Sequence, residues 1–299
     1  MKNIITFLFS VGILFQVNAQ TLKPYVLGAT STKTINELRS VVSDALSTNG
    51  LKIVGSYMPA ADKNRMVLIV SHPDLTKAVQ TVGNLTGFAA TLRVGITREG
   101  TVTNISYTNP VYWGNAYFRD DFAKVKLNYA VVNKAFETAM KSLDGYKGLF
   151  FGSKKGLEVD DLRKYHYMMG MPYFDDTEEL KEFDSYKVAV EKIDANLKKG
   201  VPNAQLVYKV NIPGKELTVY GIALSGETGE SNFLPKIDIS NPQHTAFLPY
   251  EILVMGNEVH MLHGRFRIAV SFPDLTMGTF TKIMSTPGAI EDMMTKVVE

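Results

Sequence analysis

The residues best equipped for chemistry are two histidines, His260 and His263, with Met261 between them, and a second soft-donor group, His166, Met168, Met169 and Met171. Imidazole and thioether ligands together suit copper. Their spacing opposes a shared ion, because strand residues three apart point to opposite faces. Without a bulge, His260 and His263 read as surface histidines and the methionines as core. Ser225-Gly226 lacks the Gly-x-Ser-x-Gly elbow that presents a nucleophile. The carboxylate pairs Asp160-Asp161 and Asp175-Asp176 fall where caps and turns are expected, and read as solvated charge. Phosphate-loop and His-Glu-x-x-His motifs are absent, and Lys154-Lys155 is too short for a basic patch. No catalytic residue, cofactor or metal ligand is assigned.

One aromatic group remains: Tyr107, Tyr112, Trp113, Tyr117 and Phe118, which includes the chain's single Trp. Two readings are open, a hydrophobic plug between hairpin and helix or one wall of an apolar or sugar-binding cleft. Phe233, Phe247 and Tyr250 are the matching aromatics later in the chain. Under the second reading the ligand-binding residues are Tyr112 and Trp113. They would face the irregular segment Leu224 to His244 at a junction between two units, since clefts form preferentially at such interfaces.

Composition narrows the partners. Lys and Arg total 32 against 30 Asp and Glu, without the basic surplus of a nucleic-acid binder. The absence of cysteine excludes thiol catalysis, disulfides, iron–sulfur clusters and thiolate zinc sites. Met1 to Ala19 has a basic start, an apolar run too short to span a bilayer, and small residues at Val17 and Ala19. This is the pattern of a cleaved secretory signal peptide. The expected mature protein starts at Gln20 and is soluble in the periplasm or medium of a bacterium, with no membrane insertion after cleavage.

The elements that must position these residues follow from periodicity and caps. Pro24 to Ala29 predicts a short strand, and Thr34-Ile35-Asn36-Glu37 has capping-box spacing before a helix that ends at Asn49-Gly50. Strands are expected over Leu51 to Met58 and Arg65 to Val70. Leu92, Val94 and Ile96 then alternate with Arg93, Gly95 and Thr97 as a half-buried strand, which turns at Arg98-Glu99-Gly100 into Thr101 to Tyr107. Phe122, Val125, Tyr129, Val132, Phe136 and Met140 mark the longest helix.

Gly145 to Gly156, with Leu149-Phe150-Phe151 inside it, reads as the junction between units. Beyond it a strand is expected over Tyr167 to Phe174, a helix from Tyr186 to Gly200, and strands Gln205 to Val210 and Glu216 to Ala223 around Pro213-Gly214. A strand after Phe247 turns at Gly256-Asn257. The alternation of Phe266, Ile268 and Val270 against Arg265 and Arg267 predicts a long returning strand, followed by a helix initiated at Pro273. The last helix has Thr286 as its cap and Pro287 at its first position. The hexapeptides Ser71 to Thr76 and Ser271 to Thr276 suggest a competing alignment of the halves, against which the order of elements is preferred.

Leu92 to Pro110, LRVGITREGTVTNISYTNP, resembles the closing hairpin of the domain of unknown function 302 family, and Leu248 to Asp274 resembles it again. The resemblance implies two tandem copies of a compact α+β unit similar to a TATA-binding-protein half, β-α-β-β-β-β-α, and supplies no activity. The fold expected is therefore α+β, with two repeated units over residues 20–149 and 150–299, antiparallel sheets and helices packed on one face. The function expected is a non-enzymatic module binding an unknown small molecule or protein. The alternative is a hydrolase or a metal-dependent, Met/His copper protein.

Overall fold

The computed structural model describes residues 21–299. The leader over 1–19 and the start at Gln20 lie outside them. The protein is α+β with three antiparallel sheets. A two-residue strand β1 (Thr21–Leu22) precedes β2 (Tyr25–Ser31), α1 (Ile35–Thr48), β3 (Lys52–Tyr57), β4 (Arg65–Ser71), α2 (Pro73–Val82), β5 (Leu92–Glu99) and β6 (Val102–Thr108). Next come α3 (Pro110–Phe118), α4 (Phe122–Lys141) and β7 (Tyr146–Phe151), completing a six-stranded sheet of order β3-β4-β5-β6-β2-β7. After β8 (Leu157–Glu158), which pairs with β1, and α5 (Val159–Arg163), the chain forms β9 (Thr177–Glu182), α6 (Tyr186–Lys199), β10 (Ala204–Asn211), β11 (Leu217–Leu224) and α7 (Glu230–Ile237). It closes with β12 (Tyr250–Met255), β13 (Glu258–Leu262), α8 (Gly264–Ser271), α9 (Met277–Phe280) and α10 (Thr286–Val298). The second sheet has the order β10-β11-β12-β13-β9. Leaving β7 aside, the two strand orders correspond position for position.

Local rules explain most boundaries. At α1 the Thr34 hydroxyl accepts from Glu37 N–H while the Glu37 carboxylate accepts from Thr34 N–H, a complete capping box. The apolar stripe of α4 is buried, and this 20-residue helix is the longest among the described residues. It packs on β2 at Gly28, where a Cβ would lie 2.5 Å from Met140 Sδ, so any larger residue would force the Met140 side chain to move.

Several expectations are corrected. Phe266, Ile268 and Val270 lie on α8, not on a returning strand: the His263 side chain accepts from Arg265 N–H as a cap, and the helix is buried almost all round. A helix without a solvent face loses its 3.6 period, and the residual alternation imitates a strand. No helix starts at Pro273, and those that follow begin at Met277 and Thr286. Tyr167 to Phe174 is irregular, and the strand of this half is β9, TEELKE, a polar edge strand whose sequence lacks an apolar run. The segment from Leu224 to His244, expected to be irregular, holds α7. The residues of β5 from Leu92 to Thr97 are buried on both faces, not one. The boundary expected at 149/150 passes through β7, which is hydrogen-bonded to β2. The hexapeptides occupy different places, one at β4–α2 and the other after α8, as the order of elements requires. Among the described residues no helix is long and apolar enough to cross a membrane.

Candidate functional site

The halves meet through buried polar groups. Arg93, second residue of β5, forms an ion pair with Glu251, second residue of β12, and both are buried. Tyr208 donates its hydroxyl proton to the same carboxylate, and its oxygen lies 3.0 Å from Thr91 Oγ1. Arg65 pairs with Asp238, and Glu230 accepts from Tyr57 Oη at 3.0 Å and from Ala60 N–H at 2.8 Å. Arg267, also buried, donates to Phe247 O and Ser271 Oγ, each at 2.6 Å, with its guanidinium over the Trp113 and Phe247 rings.

At one end of this junction the packing opens into a cleft of about 420 Å³. One wall is the end of β7 and the turn after it, Phe150 to Lys154. The others are the chain leaving α7, from Ile237 to His244, and the segment after α8 from Phe272 to Thr279. The surface is mainly apolar: Phe150 is 58% exposed and Ile239 73% exposed at the mouth, with Phe151, Pro242, Phe272 and Leu275 inside. Such rings and branched chains remain exposed at an energetic cost that a bound apolar group would relieve.

His244 is the one buried ionisable ring in the lining, only 5% exposed. It stacks on Phe272 with centroids 4.7 Å apart and touches Tyr25 at 4.8 Å, and its Nδ1 has no hydrogen-bond partner. Burial pushes its pKa below the usual histidine value, more strongly than the Asp238 and Asp274 carboxylates raise it, so the ring is neutral at pH 7. Asp274 accepts from Ser153 Oγ at 3.0 Å and from Lys154 N–H at 2.7 Å. Ser153 Oγ in turn accepts from Gly156 N–H at 3.1 Å. That serine braces a turn, and no hydrogen bond joins it to His244. The arrangement can hold a ligand, while its serine, histidine and aspartate do not form the relay a nucleophile needs.

The ligand residues expected from sequence lie elsewhere. Tyr112 and Trp113 are at the junction but buried inside it: Tyr112 donates to Val270 O at 2.7 Å and Trp113 Nε1 donates to Pro24 O at 2.9 Å. They belong to α3, a helix covered almost all round, which closes the space that a cleft at that point would need. Phe233, Phe247 and Tyr250 are likewise core. Of the Leu224 to His244 segment, the part from Ile237 onward lines the cleft. Trp113 stands one ring behind it, touching Tyr25 at 6.4 Å. His260 contacts Glu258 and Thr177, and His263 contacts Glu178. No cluster of His, Asp and Glu among the described residues could hold a metal ion.

Phe150, Phe151 and Lys23 escaped sequence reasoning as lining residues, and His244 was visible only as the end of the irregular segment. The available signal was the apolar Leu149-Phe150-Phe151 run inside a Gly- and Lys-rich stretch, which pattern alone assigns to a linker. No protein-family model matches the chain, and no curated protein matches it in sequence.

Proposed function

We propose that the protein is an exported ligand-binding module that takes a small, largely apolar molecule in the cleft between β7, the α7–β12 connection and the segment after α8. The observation that carries this reading is an open, mostly apolar cavity built from both halves, whose mouth leaves Phe150 and Ile239 exposed. Its size lies within the ~300–1,000 Å³ range of small-molecule sites. A cavity of ~150 Å³ already holds benzene, so a body of two rings or an equivalent acyl chain fits. The leader read at residues 1–19 supports action in the periplasm or medium of a bacterium. The hairpins similar to the domain of unknown function 302 family support a repeated α+β scaffold for it.

Titration with N-phenyl-1-naphthylamine, an uncharged fluorophore of two aromatic ring systems excited by indole emission, tests the site. Saturable one-to-one binding with energy transfer from Trp113 is expected. Ile239→Asp should weaken it about tenfold, the effect of placing a carboxylate against an apolar ligand, with the unfolding midpoint unchanged because Ile239 is exposed. Absence of saturable binding, or equal affinity in the variant, overturns the reading.

A further inference from the structure

Resting on the cleft reading, we infer that the ligand is an amphiphilic monoanion, its apolar body against Phe150, Phe151 and Phe272 and its anionic head between Lys23 and Lys154. Lys23 and Lys154 both line the cleft but come from distant parts of the chain, the β1–β2 link and the turn after β7. Neither forms an ion pair among the described residues, whereas most other lining groups that carry charge or strong polarity are engaged. Asp274, the acidic side chain of the lining, has each carboxylate oxygen accepting a hydrogen bond, from Ser153 Oγ and from Lys154 N–H. His244 adds no charge at neutral pH, and its unpartnered Nδ1 is buried away from the cleft surface.

The chemistry then divides by depth. Apolar area fixes the body, and two ammonium groups, from the half-buried Lys23 and the exposed Lys154, select a negative head. Lysine suits this place because its flexible stem can lie along an apolar wall while the ammonium group stays at the mouth. An uncharged ligand would fill the same space without using either lysine. A cation would meet two like charges against the single carboxylate of Asp274, whose oxygens already accept hydrogen bonds.

The test pairs two probes that differ in charge. 1-Anilinonaphthalene-8-sulfonate carries the rings of N-phenyl-1-naphthylamine plus one sulfonate. Both are titrated into the full chain and into Lys23→Met, Lys154→Met and the double variant, substitutions that keep the aliphatic stems. The double variant should bind the sulfonate roughly tenfold more weakly, as expected for losing charge-assisted contacts, and the uncharged probe within about twofold of wild type. Raising the salt concentration should weaken only the sulfonate, most in the wild type, less in each single variant and not in the double variant. Equal weakening of both probes would mean that the lysines act through packing, and unchanged sulfonate affinity that they do not face the ligand. Either result overturns the anionic head while leaving the cleft reading intact. Failure of both probes to bind wild type defeats the cleft reading itself.

Discussion

Glu251→Gln should destabilise the protein by about 3–5 kcal/mol, the cost of removing one partner from a buried ion pair. The change is nearly isosteric, so the loss comes from charge: the Arg93 guanidinium would remain enclosed between the two halves with a neutral amide in place of its carboxylate. The Tyr208 hydroxyl could still donate to the amide oxygen, which confines the effect to Arg93. Even in the native protein the pair is incompletely satisfied, since Arg93 Nε and Glu251 Oε2 have no hydrogen-bond partner. Replacing both residues by apolar ones, as in Arg93→Met with Glu251→Leu, should therefore recover most of the loss or exceed wild-type stability. Urea unfolding of Arg93→Met, Glu251→Leu and the double closes the cycle, with Glu251→Gln measured beside it. A Glu251→Gln loss below about 1 kcal/mol would mean that another group compensates Arg93 and that the pair does not hold the junction.

This pair also shows where sequence reasoning stops. Arg93 was legible as the polar phase of an alternating strand, which places it toward water when one face of the sheet is exposed. It is buried because the second half covers that face, and nothing within β5 records the covering. Comparing the two halves does record it: Arg93 and Glu251 hold the same place in corresponding strands with opposite charges. Where structure is local, the sequence was sufficient. The capping box at Thr34, the stripe of α4 and the Gly256-Asn257 turn between β12 and β13 each depend on neighbours a few residues away. Where an element is covered on all sides, as α3 and α8 are, periodicity fades, and the strand expected over Phe266 to Val270 came from that loss. The cleft was half legible for the same reason. The irregular segment before His244 was visible as a candidate wall, but the opposing wall is the end of an edge strand, and only the fold brings the two together.

The contact also carries a pH dependence, with Glu230 as its source. Burial pushes this carboxyl up to about 7, although hydrogen bonds from Ala60 N–H, Leu224 N–H and the Tyr57 hydroxyl favour its ionised form. In the unfolded chain it titrates near 4.5. Between those values the folded state holds a proton that the unfolded state has released, so stability is highest below about pH 4.5 and falls as pH rises to about 7, then levels off. A displacement of this size corresponds to a loss on the order of 3 kcal/mol from this group. Other groups titrate nearby. Glu99 is also raised, mainly by burial, and His244 is lowered by it, while Tyr57 and Tyr250 stay protonated throughout this range. The informative quantity is therefore the difference between wild type and Glu230→Gln. The glutamine amide would leave Ala60 N–H facing a donor, so the variant should be less stable at acid pH; its stability should nevertheless lack the fall between pH 5 and 7 that wild type shows. Urea midpoints measured at half-unit steps from pH 4.5 to 8 decide the matter, and parallel curves for the two proteins would show that Glu230 is ionised in the fold at both ends of the range.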